Sequence, residues 1–296
     1  MKILYRGPLY SCNYSCDYCP FAKAKESRET LKRDKQALSR FIDWLTEQKQ
    51  PIGILFTPWG EALIRRWYRQ AIIDLSLMPH IEKVAIQTNL SCSLDWLEDC
   101  DKSKVALWTT YHPSQVKLAR FLDKCQVLDQ QGIAYSVGMV GLKEHLNEIA
   151  LLRRELRPEV YLWINAYQEI PDYYTQAERE YLKSIDPLFD YNAIPHKSKG
   201  RRCQTGETVV SINGDGDVRR CHFVKEVIGN IYSGDMVLKP RLCPNQFCDC
   251  HIGYVHLNDL GLYEVFGEGV LERQLYHRSS TTDLRKERIN NINYMD

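Results

Sequence analysis

Six short runs of almost uninterrupted apolar, β-branched or aromatic residues recur along the first part of the chain, at 3–9, 52–57, 83–89, 106–112, 134–140 and 160–166. A strand with one wet face alternates polar and apolar positions, whereas a strand apolar throughout must be covered on both sides, so these runs predict buried parallel strands. Between them lie stripes of helical period: Leu38, Phe41, Ile42 and Leu45; Leu63, Trp67 and Ala71; Leu118, Phe121, Leu122 and Cys125; Leu142, Leu146, Ile149 and Leu156. Gly132 follows the third stripe, where a left-handed residue suits a helix C-cap. Repeated strand–helix units with right-handed crossovers leave two architectures, an open doubly wound sheet or an incomplete barrel. In both, ligands gather at the C-terminal ends of the strands.

The 296 residues carry 39 basic and 38 acidic side chains, a net charge of +1, so no global positive field exists to hold nucleic acid or an anionic membrane. The amino terminus has too short an apolar run for a secretory signal, and no run approaches the roughly 20 residues that cross a bilayer. A cytoplasmic protein is expected. In a reducing compartment its eleven cysteines are better read as metal ligands than as disulfides. They fall into two groups, at 12–19 and 203–250, with Cys92, Cys100 and Cys125 left as structural thiols.

Cys12, Cys16 and Cys19 form C-x3-C-x2-C in the loop after the first strand. Three thiolates are the informative number, because structural zinc is usually closed by four protein ligands, while a three-thiolate cubane keeps one iron open. A zinc site with a distant fourth ligand is the alternative. This spacing, with Tyr18 before the last cysteine, resembles the radical SAM superfamily. The resemblance implies a [4Fe-4S] cluster on Cys12, Cys16 and Cys19 that binds S-adenosylmethionine and, once reduced, cleaves it to a 5′-deoxyadenosyl radical. It also implies a reductant such as flavodoxin or ferredoxin.

Further positions resemble the family along the strand ends. Gly60-Glu61 stands where the family usually has Gly-Gly-Glu, with Trp59 in place of the first glycine, and Glu61 is expected to meet the cofactor's ammonium. Asn89 resembles a strand-end Thr-Asn, and Thr110, Ser136 and Asn165 are polar residues on the fourth, fifth and sixth strands, expected either to face cofactor and substrate or to be satisfied internally. Tyr18, Gly60, Glu61, Asn89, Thr110, Ser136 and Asn165 make up the expected cofactor-binding set. His112 is read as a solvated loop histidine. Arg6 is left between an anionic substrate and a core acid.

The second group, Cys203, Cys221, Cys243, Cys248 and Cys250, brackets a predicted hairpin of 208–213 and 217–223 around Gly214-Asp215-Gly216. It resembles the SPASM and twitch extensions of radical SAM enzymes, which implies one auxiliary iron–sulfur cluster, of the [4Fe-4S] type, with one cysteine spare. Cys248 and Cys250 are expected on opposite faces of an extended segment, one ligating and the other facing the cavity as a hydrogen-atom donor. Zinc, with His251 nearby, is again the alternative.

The expected fold is α/β: an incomplete (β/α)6 TIM-type barrel over 1–190, a small hairpin and cluster-binding domain over 191–270, and a polar tail over 271–296. The expected activity is hydrogen abstraction from an unactivated carbon for epimerisation or oxidation of a small molecule or sugar-like natural product. A first strand beginning at residue 3 leaves no room ahead of it for a leader-binding domain, which tilts the substrate away from peptides. The alternatives are a ribosomal-peptide maturase forming crosslinks or D-residues, and a non-catalytic zinc or iron–sulfur protein.

Overall fold

The computed structural model describes residues 1–21 and 25–275. Its order is β1 (Lys2–Arg6), α1 (Arg28–Thr46), β2 (Ile52–Phe56), α2 (Arg66–Ser76), β3 (Ile81–Thr88), β4 (Val105–Thr110), α3 (Leu118–Gln131), β5 (Ala134–Val140), α4 (Leu146–Glu155), β6 (Leu162–Asn165), α5 (Gln176–Ile185) and α6 (Asp190–Ala193). There follow β7 (His196–Lys197), β8 (Val209–Asn213), β9 (Asp217–Arg219), β10 (Val227–Asn230), β11 (Phe247–Cys248) and α7 (Leu262–Phe266). All six predicted strands are present within a few residues of their expected ends. Gly132 caps α3 at φ 69°, as the sequence requires.

Nine strands make one sheet in the order β10-β9-β8-β1-β2-β3-β4-β5-β6. β1 to β6 run parallel, and β8 joins β1 in parallel, with Lys2 opposite Val209 and Arg6 opposite Asn213. The predicted hairpin therefore forms, as β8 and β9, but it prolongs the main sheet instead of standing in a sheet of its own. β7 and β11 make a separate two-stranded sheet.

Each face of the main sheet has its own core. Ile3, Tyr5, Ile54, Phe56, Val84, Ile86, Leu107, Val137, Met139 and Ile164 pack against Leu38, Phe41, Leu45, Ile72, Leu75, Phe121, Leu128, Ile149 and Leu152 of the helices. The alternate residues Leu4, Leu55, Ala85, Ala106, Trp108 and Trp163 face Ile252, Tyr254, Val255, Leu262, Phe266, Val270 and Leu271. Full burial of one such side chain is worth roughly 1.5–3 kcal/mol, so the segment from Ile252 onward is bound by its own apolar content. On this inner face Trp108 and Trp163 meet edge to face at 5.5 Å, and a Cβ on Gly138 would fall 1.9 Å from the Trp163 ring.

The expected polar tail begins differently from its charge pattern. Leu271, Glu272 and Arg273 are buried. The Arg273 guanidinium lies 4.9 Å from the Trp108 ring centre and 5.4 Å from that of Phe266, and donates to the Ile252 carbonyl at 2.8 Å. Glu272 pairs with Lys83 at 3.3 Å. Charged groups paired inside the fold read as surface in a sequence, because composition does not reveal their partners. Residues 276–296 of that tail lie outside the described residues. Among the described residues no helix is long and apolar enough to cross a membrane.

Candidate active site

The loop carrying Cys12, Cys16 and Cys19 leaves β1 and is gripped by the C-terminal ends of the next three strands. From β2, the peptide of Gly60-Glu61 lies against Ser11: Glu61 N donates to the Ser11 carbonyl at 3.1 Å, and a Cβ on Gly60 would stand 1.9 Å from that oxygen and 3.1 Å from Cys12 N. Only glycine lets the two backbones come this close. Beyond β3, Asn89 Nδ2 donates to Asn13 Oδ1 at 3.1 Å and reaches Cys12 Sγ at 3.6 Å. Beyond β4, His112 Nδ1 stands 2.8 Å from the Tyr18 hydroxyl and 3.5 Å from Cys16 Sγ, with its ring stacked on that of Tyr18. Gln115 accepts from Ser15 N at 2.9 Å.

Burial sets the electrostatics. Removal from water pushes the Cys12 thiol up and the Cys16 thiol up to about 11, and the neighbouring thiols of the loop push both further the same way. Three thiolates are thus costly here without a cation, and soft sulfur donors suit iron or zinc. Burial also pulls His112 down to about 4, so at neutral pH it is an uncharged dipole against Cys16. The sequence places His112 among solvated loop histidines; the structure half-buries it against the cysteine loop. Its position two residues past β4 was the available signal, since strand-end residues point into the site.

Glu61 is buried, and burial pushes its carboxyl up to about 7. It accepts from Leu63 N at 2.9 Å, from the Thr88 hydroxyl at 2.9 Å and from Asn89 N at 2.5 Å. Its carboxylate therefore latches the turn after β2 to the end of β3, directly beneath the residue that holds Cys12. Ser136 donates to the Glu272 carbonyl and accepts from the Trp163 indole at 3.3 Å, the internal satisfaction that was its alternative. Thr110 and Asn165 sit half-buried at the ends of β4 and β6.

Cys203, Cys221, Cys243, Cys248 and Cys250, scattered over nearly fifty residues, all line one cavity beside Leu4. Burial pushes Cys221 up to about 11 and Cys248 up to about 12; it raises Cys250 too, against two backbone N–H donors and the charges of Arg6 and Arg273. The expected division of Cys248 and Cys250 between opposite faces does not hold. Side chains two positions apart on an extended segment share a face, and both line this cavity. None of the eleven cysteines forms a disulfide. Among the described residues no group of three or more His, Cys, Asp or Glu side chains is placed to hold a single metal ion. A cubane takes thiolates spaced more widely than one ion does, and the donors at hand are thiols: three in the loop after β1 and five along one cavity.

A larger cavity of about 750 Å³ opens at the C-terminal ends of β1, β2 and β8, walled by Arg6, Trp59, Asn213 and α1. Trp59 links it to the cysteine loop, standing 4.5 Å from Phe21, two residues past Cys19. His222 lines both this cavity and that of the five cysteines, its ring held between Thr57 Oγ1 at 3.0 Å and Ser211 Oγ at 2.7 Å.

The chain matches no protein-family model and no curated protein. Solved structures do match. Native anSMEcpe with bound AdoMet superposes with a TM-score of 0.53 at 13% identity, covering 80% of each chain. The same protein with bound AdoMet and Kp18Cys peptide gives 0.53 at 13% identity over 79% of each chain. This chain has the fold of anSMEcpe. BtrN in complex with AdoMet and 2-DOIA is matched over 79% of each chain at 15% identity, with a TM-score of 0.34. Both neighbours were solved with AdoMet bound.

Proposed function

We propose that this chain is a radical SAM enzyme in which Cys12, Cys16 and Cys19 hold a [4Fe-4S] cluster open at one iron to S-adenosylmethionine. The observation that carries this reading is the three-thiol loop, clamped by the ends of β2, β3 and β4 in a fold shared with an AdoMet-bound enzyme. When bound, the cofactor supplies a 5′-deoxyadenosyl radical able to take hydrogen from an unactivated carbon.

The chain's own part is placement. Gly60 sets the path of Ser11 and Cys12, Asn89 orients Cys12, and neutral His112 with Tyr18 packs Cys16 without adding a positive charge that would draw in water. Glu61 fixes Asn89 by its backbone, and Thr110 and Asn165 line the strand ends facing substrate. The five-cysteine cavity holds an auxiliary iron–sulfur cluster with one thiol spare. The reaction is epimerisation or oxidation of a small, sugar-like molecule, in the cytoplasm, with a flavodoxin- or ferredoxin-type reductant. A peptide substrate is the second reading, supported by the anSMEcpe structure that holds a peptide and by the open cavity beside Trp59.

Anaerobic reconstitution tests the cofactor assignment. A brown protein with iron and sulfide enough for two clusters is expected; a colourless protein with stoichiometric zinc overturns the reading. Turnover in deuterated solvent then separates the outcomes, since label enters the product only if a hydrogen is returned.

A further inference from the structure

We infer that the cavity between β1, α1 and the β8–β9 hairpin takes the anionic group of the substrate, a carboxylate or a phosphate, on the guanidinium of Arg6. The inference deepens the proposed function by naming the substrate's charge, and rests on it for calling the ligand a substrate.

Four arginines line this cavity, Arg6, Arg33, Arg40 and Arg219, against a single carboxylate, Asp215. Arg33 is satisfied by Asp215 at 3.2 Å, both largely exposed, and Arg219 leans on Asp217 at 3.9 Å. Arg40 is exposed and lies over the Tyr232 ring at 4.1 Å. Arg6 differs from all three. It is half-buried at the C-terminal end of β1, its Nε donates to the Thr57 carbonyl at 2.7 Å, and its plane lies 4.0 Å from the Trp59 ring centre. Those two contacts fix the orientation of the fork. They leave its terminal amines without a carboxylate partner among the described residues, facing the cavity. Among the described residues no acid pairs with Arg6, which removes a core acid, its other candidate partner, from that set.

A partly desolvated guanidinium with no carboxylate partner is unfavourable unless an anion completes it. Its planar fork matches the two oxygens of a carboxylate or phosphate, and its stacking on Trp59 leaves little rotamer freedom to lose on binding. The position suits a substrate as well. Arg6 lies next to Trp59, which abuts the three-cysteine loop, and close enough to Cys250 of the second set for their charges to interact. A ligand anchored there lies between the two cysteine sets.

The test measures anion binding by the full-length, reconstituted protein without reductant or S-adenosylmethionine, so failure of turnover and failure of this inference are distinguishable. Inorganic phosphate and succinate are titrated calorimetrically in separate arms, which tells a phosphate site from a carboxylate site. Saturable binding of at least one anion is expected. Arg6→Gln should weaken it about tenfold or more and Arg6→Lys by less, because the charge survives without the fork, while Arg154→Gln changes nothing. Should Arg6→Gln fail to fold by circular dichroism, protection of Arg6 against phenylglyoxal in the wild type, mapped by mass spectrometry, gives the same answer. No saturable binding of either anion, equal binding by folded Arg6→Gln, or modification of Arg6 at an unchanged rate with anion present overturns the inference.

Discussion

At the scale of single residues, the site depends on contacts too close for substitution. Gly60→Ala would place a methyl group 1.9 Å from a backbone oxygen, which no side-chain rearrangement relieves. The Ser11–Cys12 peptide has to move, at a cost of about 1–3 kcal/mol. We expect the variant to fold but to lose the iron bound by Cys12, Cys16 and Cys19; full iron occupancy, counted in a background where the five later cysteines are serine, would contradict the clamp. The cysteines and Gly60 were legible in the sequence because chemistry and backbone geometry restrict which residue can stand there. His112 and Ser136 were not. Whether a polar residue at a strand end faces a ligand or a neighbour depends on what packs opposite it, and for Ser136 that neighbour comes from Glu272, far along the chain.

At the scale of elements, buried polar latches join pieces whose apolar faces alone do not fix their register. Asp186 follows α5 and accepts from the Tyr161 hydroxyl at 2.7 Å, Ile164 N at 2.8 Å and Leu188 N at 2.9 Å, tying β6 to the helix beside it. Burial outweighs those bonds and pushes its carboxyl from 3.8 up to about 6. The folded state therefore holds this proton more tightly than the unfolded chain. The stability it contributes is fully present below pH 3.8 and is lost as pH rises through about 6. Asp186→Asn should flatten that part of the stability profile measured by urea unfolding from pH 4 to 7, while costing about 1–3 kcal/mol at neutral pH, since an amide cannot accept on both sides. An unchanged slope would show that Asp186 does not titrate there. Gly138→Ala should be more damaging than most core substitutions, because the Trp163 ring occupies the space. The strands themselves were legible: apolar on both faces, they could be covered only in a parallel sheet. The extension of that sheet by β8 beside β1 was not, since parallel pairing across two hundred residues leaves no local pattern.

At the scale of the molecule, one segment closes the inner face of the sheet. Residues from Ile252 to Arg273 bring both apolar side chains and a caged cation onto Trp108, and the loop before them carries Cys248 and Cys250 into the five-cysteine cavity. Stability and the second cysteine set are thus coupled. Arg273→Ala should lower stability by about 2–4 kcal/mol through lost aromatic and carbonyl contacts, and should reduce the iron held by the second set. Thermal unfolding and iron counts together check this; a variant as stable as the wild type would place Arg273 outside the core.

The central claim is that three thiols near the amino end hold a cluster that cleaves S-adenosylmethionine. It is tested most directly by counting 5′-deoxyadenosine released by the anaerobic protein under dithionite, beside Cys16→Ala. Release by the wild type and none by the variant is expected. Release by both, or by neither when the wild type carries a full complement of iron, would contradict it.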